Sequence, residues 1–182
     1  NDKKWIEAMR STAAHSTVSI DDVNSSDIFY QKDTDTRIAK VWSELLVDKN
    51  CYWINSAHSG YKKIFGIIHN RKIHIDPDNL TIRGQDYISK PTKHLYSIPK
   101  KIFIRFHIHP DVKLNVTTSK KKVFLQLKNN IAWEFICSEA KIKLKEGIYL
   151  GTKKTIQKNN HILISENLVP EKKIKWMFRL IK

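Results

Sequence analysis

Residues 102–112 are Ile102-Phe103-Ile104-Arg105-Phe106-His107-Ile108-His109-Pro110-Asp111-Val112. Apolar β-branched and aromatic residues dominate this run and Pro110 ends it, which is typical of a β-strand. Because successive side chains of a strand point to opposite faces, His107 and His109 are predicted to share one face, with Phe106 on the other. Two neighbouring imidazoles beside an arginine and a carboxylate suit anion binding, proton transfer or metal ligation.

Similar short runs recur along the chain and predict an all-β fold. They are separated by turn-forming sequences and leave no room for long crossover helices, which argues against a parallel α/β sheet. We therefore predict an antiparallel β-sandwich of two or more packed sheets, with a short helical turn around Trp5. The predicted strands are 18–20, 38–42, 51–54, 64–69, 72–75, 80–83, 102–106, 123–127, 132–136, 142–144, 148–150, 162–165 and 174–178. The predicted turns are 76–79, 128–130, 145–147 and 158–160.

The length and composition are those of one ordinary domain. The 182 residues are enough for a real core, and no apolar run is long enough for a membrane span. The chain has no initiator Met and no signal-peptide pattern, so we expect it to be a piece of a longer protein. The two cysteines, Cys51 and Cys137, both lie in apolar strand patterns, which favours core thiols over a disulfide.

The chain is strongly basic, with a net charge of +15. Such a charge suits a nucleic acid, an anionic membrane surface or an acidic polysaccharide. However, only six of the 33 basic residues are Arg, and the Lys residues are spread along the whole length. A solvated lysine-rich surface, of the kind that an AT-rich coding sequence produces, is the favoured interpretation, and a true polyanion-binding field is the alternative.

Several polar residues are candidates for chemistry. His15 lies at the mouth of an apolar strand, and the segment 58–61 is a loop whose His58 and Tyr61 can supply an acid, a base or a sugar-stacking ring. Each also has a plain structural interpretation, as a turn histidine and as a hairpin connection. Arg71 shares a strand face with His69 and can hold a carboxylate in a bidentate manner, whereas His74 takes the other face.

The known metal and nucleotide motifs are missing from the sequence. The pair His107 and His109 resembles the paired histidines of cupin metal sites, but Lys113 and Leu114 stand where a glutamate would be needed. No cysteine pair at zinc spacing, glycine-rich phosphate loop or nucleophile elbow occurs. The aromatic residues do not form the spaced stacking platform of a nucleic-acid-binding sheet. We therefore predict no metal site within this chain, and nucleic acid is not the favoured partner.

Taken in order, several segments resemble the C-terminal region of heparinase II/III-like proteins, a bacterial polysaccharide lyase family. No single motif is decisive, but the ordered set covers nearly the whole chain. The matching segments are Arg10-Ser11-Thr12-Ala13-Ala14-His15-Ser16-Thr17, His58-Ser59-Gly60-Tyr61, His69-Asn70-Arg71, Arg83-Gly84-Gln85-Asp86, Arg105 to Val112, Trp133, Tyr149-Leu150-Gly151 and Ile174 to Arg179.

The resemblance implies a β-sandwich that follows an N-terminal (α/α) helical toroid. Residues 1–12 are then the end of a linker from that missing domain, and residues 13–182 are the heparinase II/III-like C-terminal domain. It also implies β-elimination of uronic-acid-containing acidic glycans, by a carbon–oxygen lyase of the periplasm or cell envelope. The implied roles are catalytic for His15, His58 and Tyr61, and substrate-binding for Arg71, Arg105, His107 and His109.

The chain also departs from the family pattern. The family's catalytic toroid and its His-x-His-x-Asp segment are not among these residues, and the usual His-Asn-Thr at His15 is His-Ser-Thr here. We therefore expect the fragment alone to be inactive and to require no cofactor, while a divalent metal remains compatible with the full-length protein. The competing hypotheses are a non-catalytic module that binds anionic polysaccharides and, less favoured, a nonspecific nucleic-acid binder.

Overall fold

The computed structural model describes residues 3–29, 36–90, 99–151 and 156–181, and within them the fold is an antiparallel β-sandwich. The predicted all-β class is therefore confirmed, and the predicted N-terminal helical turn is a helix of eight residues. In chain order the elements are α1 (Lys3–Arg10), a 3-10 turn (Thr12–Ala14), β1 (Val18–Ile20), β2 (Val41–Asp48), β3 (Cys51–His58), α2 (Lys62–Phe65), β4 (His69–Asp76), β5 (Thr81–Ile88), β6 (Lys101–His107), β7 (Lys113–Val116), β8 (Lys122–Gln126), β9 (Ala132–Ile136), β10 (Ile142–Leu150), β11 (Ile156–Asn167) and β12 (Ile174–Ile181).

The two sheets differ in size. The smaller has four strands in the order β1-β6-β11-β10, and the larger has eight in the order β2-β3-β4-β5-β12-β9-β8-β7. The larger sheet extends past the smaller one, and every residue of its edge strand β2 is exposed. Both faces of β2 are therefore open in the described part of the chain, whereas most residues of β3 are half-buried.

The core forms where the two sheets face each other. In β6 the alternate residues Ile102, Ile104 and Phe106 are buried, as the period-two pattern requires. The Phe106 ring packs against Phe135 and Trp176 of the larger sheet, with centroid distances of 4.9 and 4.8 Å. These aromatic contacts fix the spacing of the sheets close to the polar site described below.

Several sequence-based boundaries were wrong. Residues 64–68 were predicted as strand, but α2 covers Lys62–Phe65 and ends at Gly66, whose φ is 68°. The predicted turns at 145–147 and 158–160 lie inside β10 and β11, where Gly147 pairs with Asn159 in one unbroken ladder. These polar residues alternate between the two faces of the β10–β11 ladder, so they do not mark a turn.

Other sequence-based predictions agree with the structure. Turns follow β4 at 77–80 and occur at 128–130, and β4 presents His69 and Arg71 on one face and His74 on the other. Both cysteines are free thiols, with Cys137 buried and Cys51 half-buried. Among the described residues, no helix has the length and apolar character needed to cross a bilayer.

Candidate functional site

A buried carboxylate lies at one end of the sandwich, on the inner face of the larger sheet. Asp86 is fully buried and accepts hydrogen bonds from three side chains. Arg71 donates from Nε to Oδ1 at 2.7 Å and from Nη2 to Oδ2 at 3.1 Å, and Trp176 donates from Nε1 to Oδ2 at 2.8 Å. His69 Nε2 lies 2.7 Å from Oδ1. Burial by itself would raise the pKa of Asp86, but the bonds from His69 and Arg71 lower it to about 2.

The indole of Trp176 reaches Asp86 because Gly84 leaves room for it. Gly84 pairs directly with Trp176 across β5 and β12. A Cβ at position 84 would lie inside the van der Waals envelope of the Trp176 ring. The glycine is therefore required by this close approach, and it helps to satisfy the buried carboxylate.

A relay of hydrogen bonds runs from the 58–61 loop to Asp86. The Gly60 N–H donates to His58 Nδ1 at 3.2 Å, which leaves His58 Nε2 as the protonated nitrogen that donates to His69 Nδ1 at 3.0 Å. His69 then carries its proton on Nε2 and donates to Asp86. This assignment of tautomers satisfies every ring nitrogen with both histidines neutral. Burial, followed by the nearby His69 and Arg71, lowers the pKa of His58 to about 4.

Ser16 ties this network to the smaller sheet. Arg71 Nη1 donates to the Ser16 carbonyl at 2.7 Å, and the backbone N–H of His107 donates to Ser16 Oγ at 2.9 Å. The His107 ring donates from Nε2 to the Ala13 carbonyl, also at 2.9 Å. His15 is exposed next to these bonds. The structure thus brings His15, His107 and Arg71 together around one serine, and we call these four residues the Ser16 rim.

Arg105 lies on the same outer face of β6 as His107. Its Nη1 donates to Ser19 Oγ at 2.6 Å and its Nη2 lies 3.4 Å from Asp22 Oδ1. The His107 ring packs on His161 at a centroid distance of 4.9 Å. Burial lowers the pKa of His107. Burial, followed by the nearby His107, also lowers the pKa of His161 to about 4.

The three predicted catalytic residues have very different surroundings. His15 is exposed, whereas both ring nitrogens of His58 are bonded within the protein. Tyr61 is fully buried, and its hydroxyl donates to the Val18 carbonyl at 2.9 Å. Burial also raises the pKa of Tyr61. In this conformation Tyr61 is out of reach of a solvent-borne substrate, His58 is half-buried with both ring nitrogens bonded, and His15 is exposed.

The predicted pairing of His107 and His109 on one strand face was wrong, because β6 ends at His107 and His109 lies in the following loop. The His109 ring packs on Tyr149 at 4.9 Å, and its Nδ1 accepts from the Asp111 N–H at 3.2 Å. The described residues contain no group of three or more His, Cys, Asp or Glu side chains placed to hold a metal ion.

The family model for "Heparinase II/III-like, C-terminal" matches residues 1–177 of this chain. The chain belongs to the heparinase II/III-like C-terminal family. The resemblance expected from the ordered segments is therefore confirmed.

Solved structures share the fold of this heparinase II/III-like domain. The heparan sulfate lyase HepC from Pedobacter heparinus matches with a TM-score of 0.72 and 10% identity, over 100% of this chain and 27% of that one. A heparinase III gene product matches with a TM-score of 0.71 and 14% identity, over 100% of this chain and 26% of its own. The chain thus spans about a quarter of the length of these proteins.

A curated relative of the heparinase II/III-like domain is the FtsZ-localized protein C of Caulobacter vibrioides. It is 27% identical over 105 residues, which are 52% of this chain and 17% of that protein. At these identities and coverages, the comparisons establish the family and the fold but assign no activity to individual residues.

Sequence reasoning missed the residue at the centre of the site. Asp86 was quoted only as part of a matching segment, yet it occupies a core-facing position of β5 between Gly84 and Ile88. A lone carboxylate at such a position signals a buried partner, because charged side chains are almost never fully buried unless paired. Arg71 does hold a carboxylate in a bidentate manner, but that carboxylate is Asp86 of the same chain.

Proposed function

We propose that this chain is the β-sandwich part of a polysaccharide lyase that acts by β-elimination on uronic-acid-containing glycans, with the Ser16 rim facing the substrate. The observation that carries the proposal is that Ser16 is bonded from both sheets, by Arg71 and by His107. This arrangement anchors the backbone next to His15, whose exposed ring lies beside the half-buried imidazole of His107. Positioning of this kind is what an acid–base or substrate-orienting histidine needs.

The chemistry of β-elimination explains why the rim by itself is not sufficient. The reaction needs a base for the C5 proton, a donor that neutralises the uronate carboxylate, and an acid for the leaving oxygen. His15 is available as one of these groups, and His107 is uncharged at neutral pH because its pKa is lowered. Both ring nitrogens of His58 are bonded within the protein, and Tyr61 is fully buried. We therefore propose that the remaining groups come from a helical domain of the same polypeptide, outside these 182 residues.

The test compares this chain with the longest reading frame that contains it. Both proteins are incubated with heparan sulfate, hyaluronan and alginate, and the unsaturated product is followed by its ultraviolet absorbance. We expect product from the longer protein only, and we expect His15→Gln to lower its kcat by about 100-fold, the usual contribution of an acid–base group. Glu146→Gln, a change at an exposed residue of β10, is the control. Unchanged turnover in the His15 variant would remove the rim from the mechanism.

A second candidate function is a non-catalytic module that binds anionic polysaccharides. Two observations favour it. Both ring nitrogens of His58 are bonded within the protein, and Tyr61 is fully buried, so His15 is the most accessible of the three candidate catalytic side chains. Saturable, salt-sensitive glycan binding without any unsaturated product from the longer protein would favour it over the lyase.

We also propose where in the cell the protein is located. The family resemblance suggests the periplasm or the cell envelope, where such polysaccharides are accessible. Fractionation of the source cells with antibodies against this domain tests it, and recovery of the protein in the cytosolic fraction would contradict it.

A further inference from the structure

We infer that the outer face of the eight-stranded sheet carries a separate binding groove for a linear polyanionic glycan with acidic groups on successive repeats. This groove lies on the opposite side of the sheet from Asp86 and away from the Ser16 rim. Its volume is about 620 Å³, which lies in the range of ordinary ligand sites. We call it the basic groove and define it by Trp53, Lys72, His74, Arg83, Gln85 and Lys175.

The strand register produces this surface. Trp53 pairs with His74, and His74 pairs with Arg83, so these three side chains form one row across β3, β4 and β5. Lys72 pairs with Gln85, and Gln85 pairs with Lys175, which gives a second row across β4, β5 and β12. Directly opposed residues share a face of the sheet, so both rows point away from the core.

The cations of the groove form no ion pairs with residues of the groove lining, and the carboxylate that acts on Arg83 is Asp76, at the end of β4. Lys72, Arg83 and Lys175 are exposed, and none of them makes an ion pair among the described residues. The residues that line the groove include no Asp or Glu. Farther along the same face, by contrast, Lys122 and Arg179 are both paired with Glu134. Asp76 is bonded to Asn79 and offsets part of the charge of Arg83, whereas Lys72 and Lys175 make no ion pair among the described residues, so the groove keeps a local positive potential.

The groove also contains an exposed aromatic side chain, Trp53, that packs on His74. Trp53 is 46% exposed, and its ring lies against His74 at a centroid distance of 4.0 Å. An exposed indole that is held by a neighbouring ring offers a flat apolar surface at a small entropy cost, which suits the C–H face of a sugar. The Gln85 amide lies between the lysines and can bond a hydroxyl group.

The spacing of the groups favours a glycan over a nucleic acid. Lys72 and Lys175 are two strands apart, which separates their backbones by about 10 Å. This distance is close to the length of one disaccharide, so the two ammonium groups can meet acidic groups on successive repeats. A single-stranded nucleic acid would instead need a series of stacking rings along the groove. Here Trp53 is the one indole exposed in the groove, and it lies at one end.

The experiment measures binding of size-defined heparin oligosaccharides to this chain by calorimetry. The site variant carries Lys72→Gln, Arg83→Gln and Lys175→Gln, and the matched control carries Lys113→Gln, Lys120→Gln and Lys141→Gln, all at exposed positions. Both variants lose the same formal charge. We expect Kd to rise at least tenfold in the site variant and less than threefold in the control. Trp53→Ala, which changes no charge, is expected to raise Kd about fivefold.

Three outcomes would overturn the inference. The first is equal weakening in the site and control variants, which means that the overall charge of +15 alone attracts the glycan. The second is no effect of Trp53→Ala. The third is that duplex DNA displaces the bound oligosaccharide as well as unbound oligosaccharide does, when the two competitors are compared at the same concentration of anionic groups. That result would indicate a nonspecific polyanion surface.

The same measurements keep this inference distinct from the proposed lyase function. If His15→Gln abolishes oligosaccharide binding while the groove variant retains it, the glycan sits at the Ser16 rim and the groove is excluded. If the longer protein makes no unsaturated product but the groove variant loses binding, the lyase proposal fails and the groove stands. Thermal unfolding of each variant is expected to match that of the parent chain, because every substituted side chain is at least partly exposed.

Discussion

The two faces of the eight-stranded sheet use the same residue types for opposite purposes. Arg71 on β4 points inward and is bound to Asp86 and Ser16, whereas Arg83 on β5 points outward to solvent. Likewise His69 is bonded at both ring nitrogens inside, and His74 lies against an exposed indole outside. The period of the strand separates these roles, because a shift of one residue moves a side chain from the core to water.

The two faces of the sheet also differ in the free-energy cost of their charged groups. A buried carboxylate has a large desolvation cost, so it persists only with enough donors around it, and Asp86 has them. The cations of the basic groove remain hydrated and need no partner for the fold. Substitutions on the inner face should therefore change stability, and substitutions on the outer face should change binding alone.

The largest effect is expected for Asp86→Asn. The amide keeps the shape but removes the charge, which leaves the Arg71 guanidinium without its counterion inside the protein. We expect the free energy of unfolding to fall by about 3–5 kcal/mol, measured by urea denaturation. Arg83→Gln on the outer face is the control and should change it by less than about 0.5 kcal/mol. Similar losses in both variants would contradict the distinction between the faces.

A somewhat smaller effect is expected for Gly84→Ala. The added methyl group occupies the space of the Trp176 ring and must displace its bond to Asp86. We expect a loss of about 3 kcal/mol in the same assay, at the upper end of the range for overpacking. Gly151→Ala tests a glycine outside this contact and should cost clearly less. A Gly84 variant as stable as the parent would mean that the indole moves without cost.

The third prediction concerns pH. His58 and His161 have folded-state pKa values of about 4 against an ordinary 6.5, so the unfolded chain binds more protons between these values. Stability is therefore complete above pH 6.5 and decreases as the pH falls toward 4. Asp86, lowered to about 2 from 3.8, adds a further loss below pH 4.

We expect the melting temperature to drop by about 5 °C between pH 7 and pH 4.5, as followed by circular dichroism. In His58→Gln the dependence over this interval should be weaker, because one of the two groups is gone. His109→Gln, a change at an exposed loop residue, should keep the parent's slope. A parent protein equally stable at both pH values would show that the relay does not hold His58 neutral.

Local pattern was sufficient for part of this structure. Alternation identified β6 and put Phe106 on the face opposite His107, and it placed Arg71 and His74 on opposite faces of β4. Turn chemistry located the connection after Asp76. These features depend on backbone geometry within a few residues, so a single sequence contains them.

The contacts of the candidate site could not be predicted from local sequence patterns. The bonds of Asp86 join residues 69, 71 and 176, and Ser16 joins two sheets from a third region of the chain. Nothing within one strand indicates such partners, and for the same reason Asn159 and Gly147 suggested turns until their pairing placed them in one ladder. The sequence by itself determined the all-β class, the family and the alternation of most strands. Tertiary structure alone decided that Tyr61 is buried, that both ring nitrogens of His58 are bonded and that His15 is exposed. It also decided that cations gather on the outer face of the larger sheet. The physical reason is that burial and pairing arise from residues far apart in the chain.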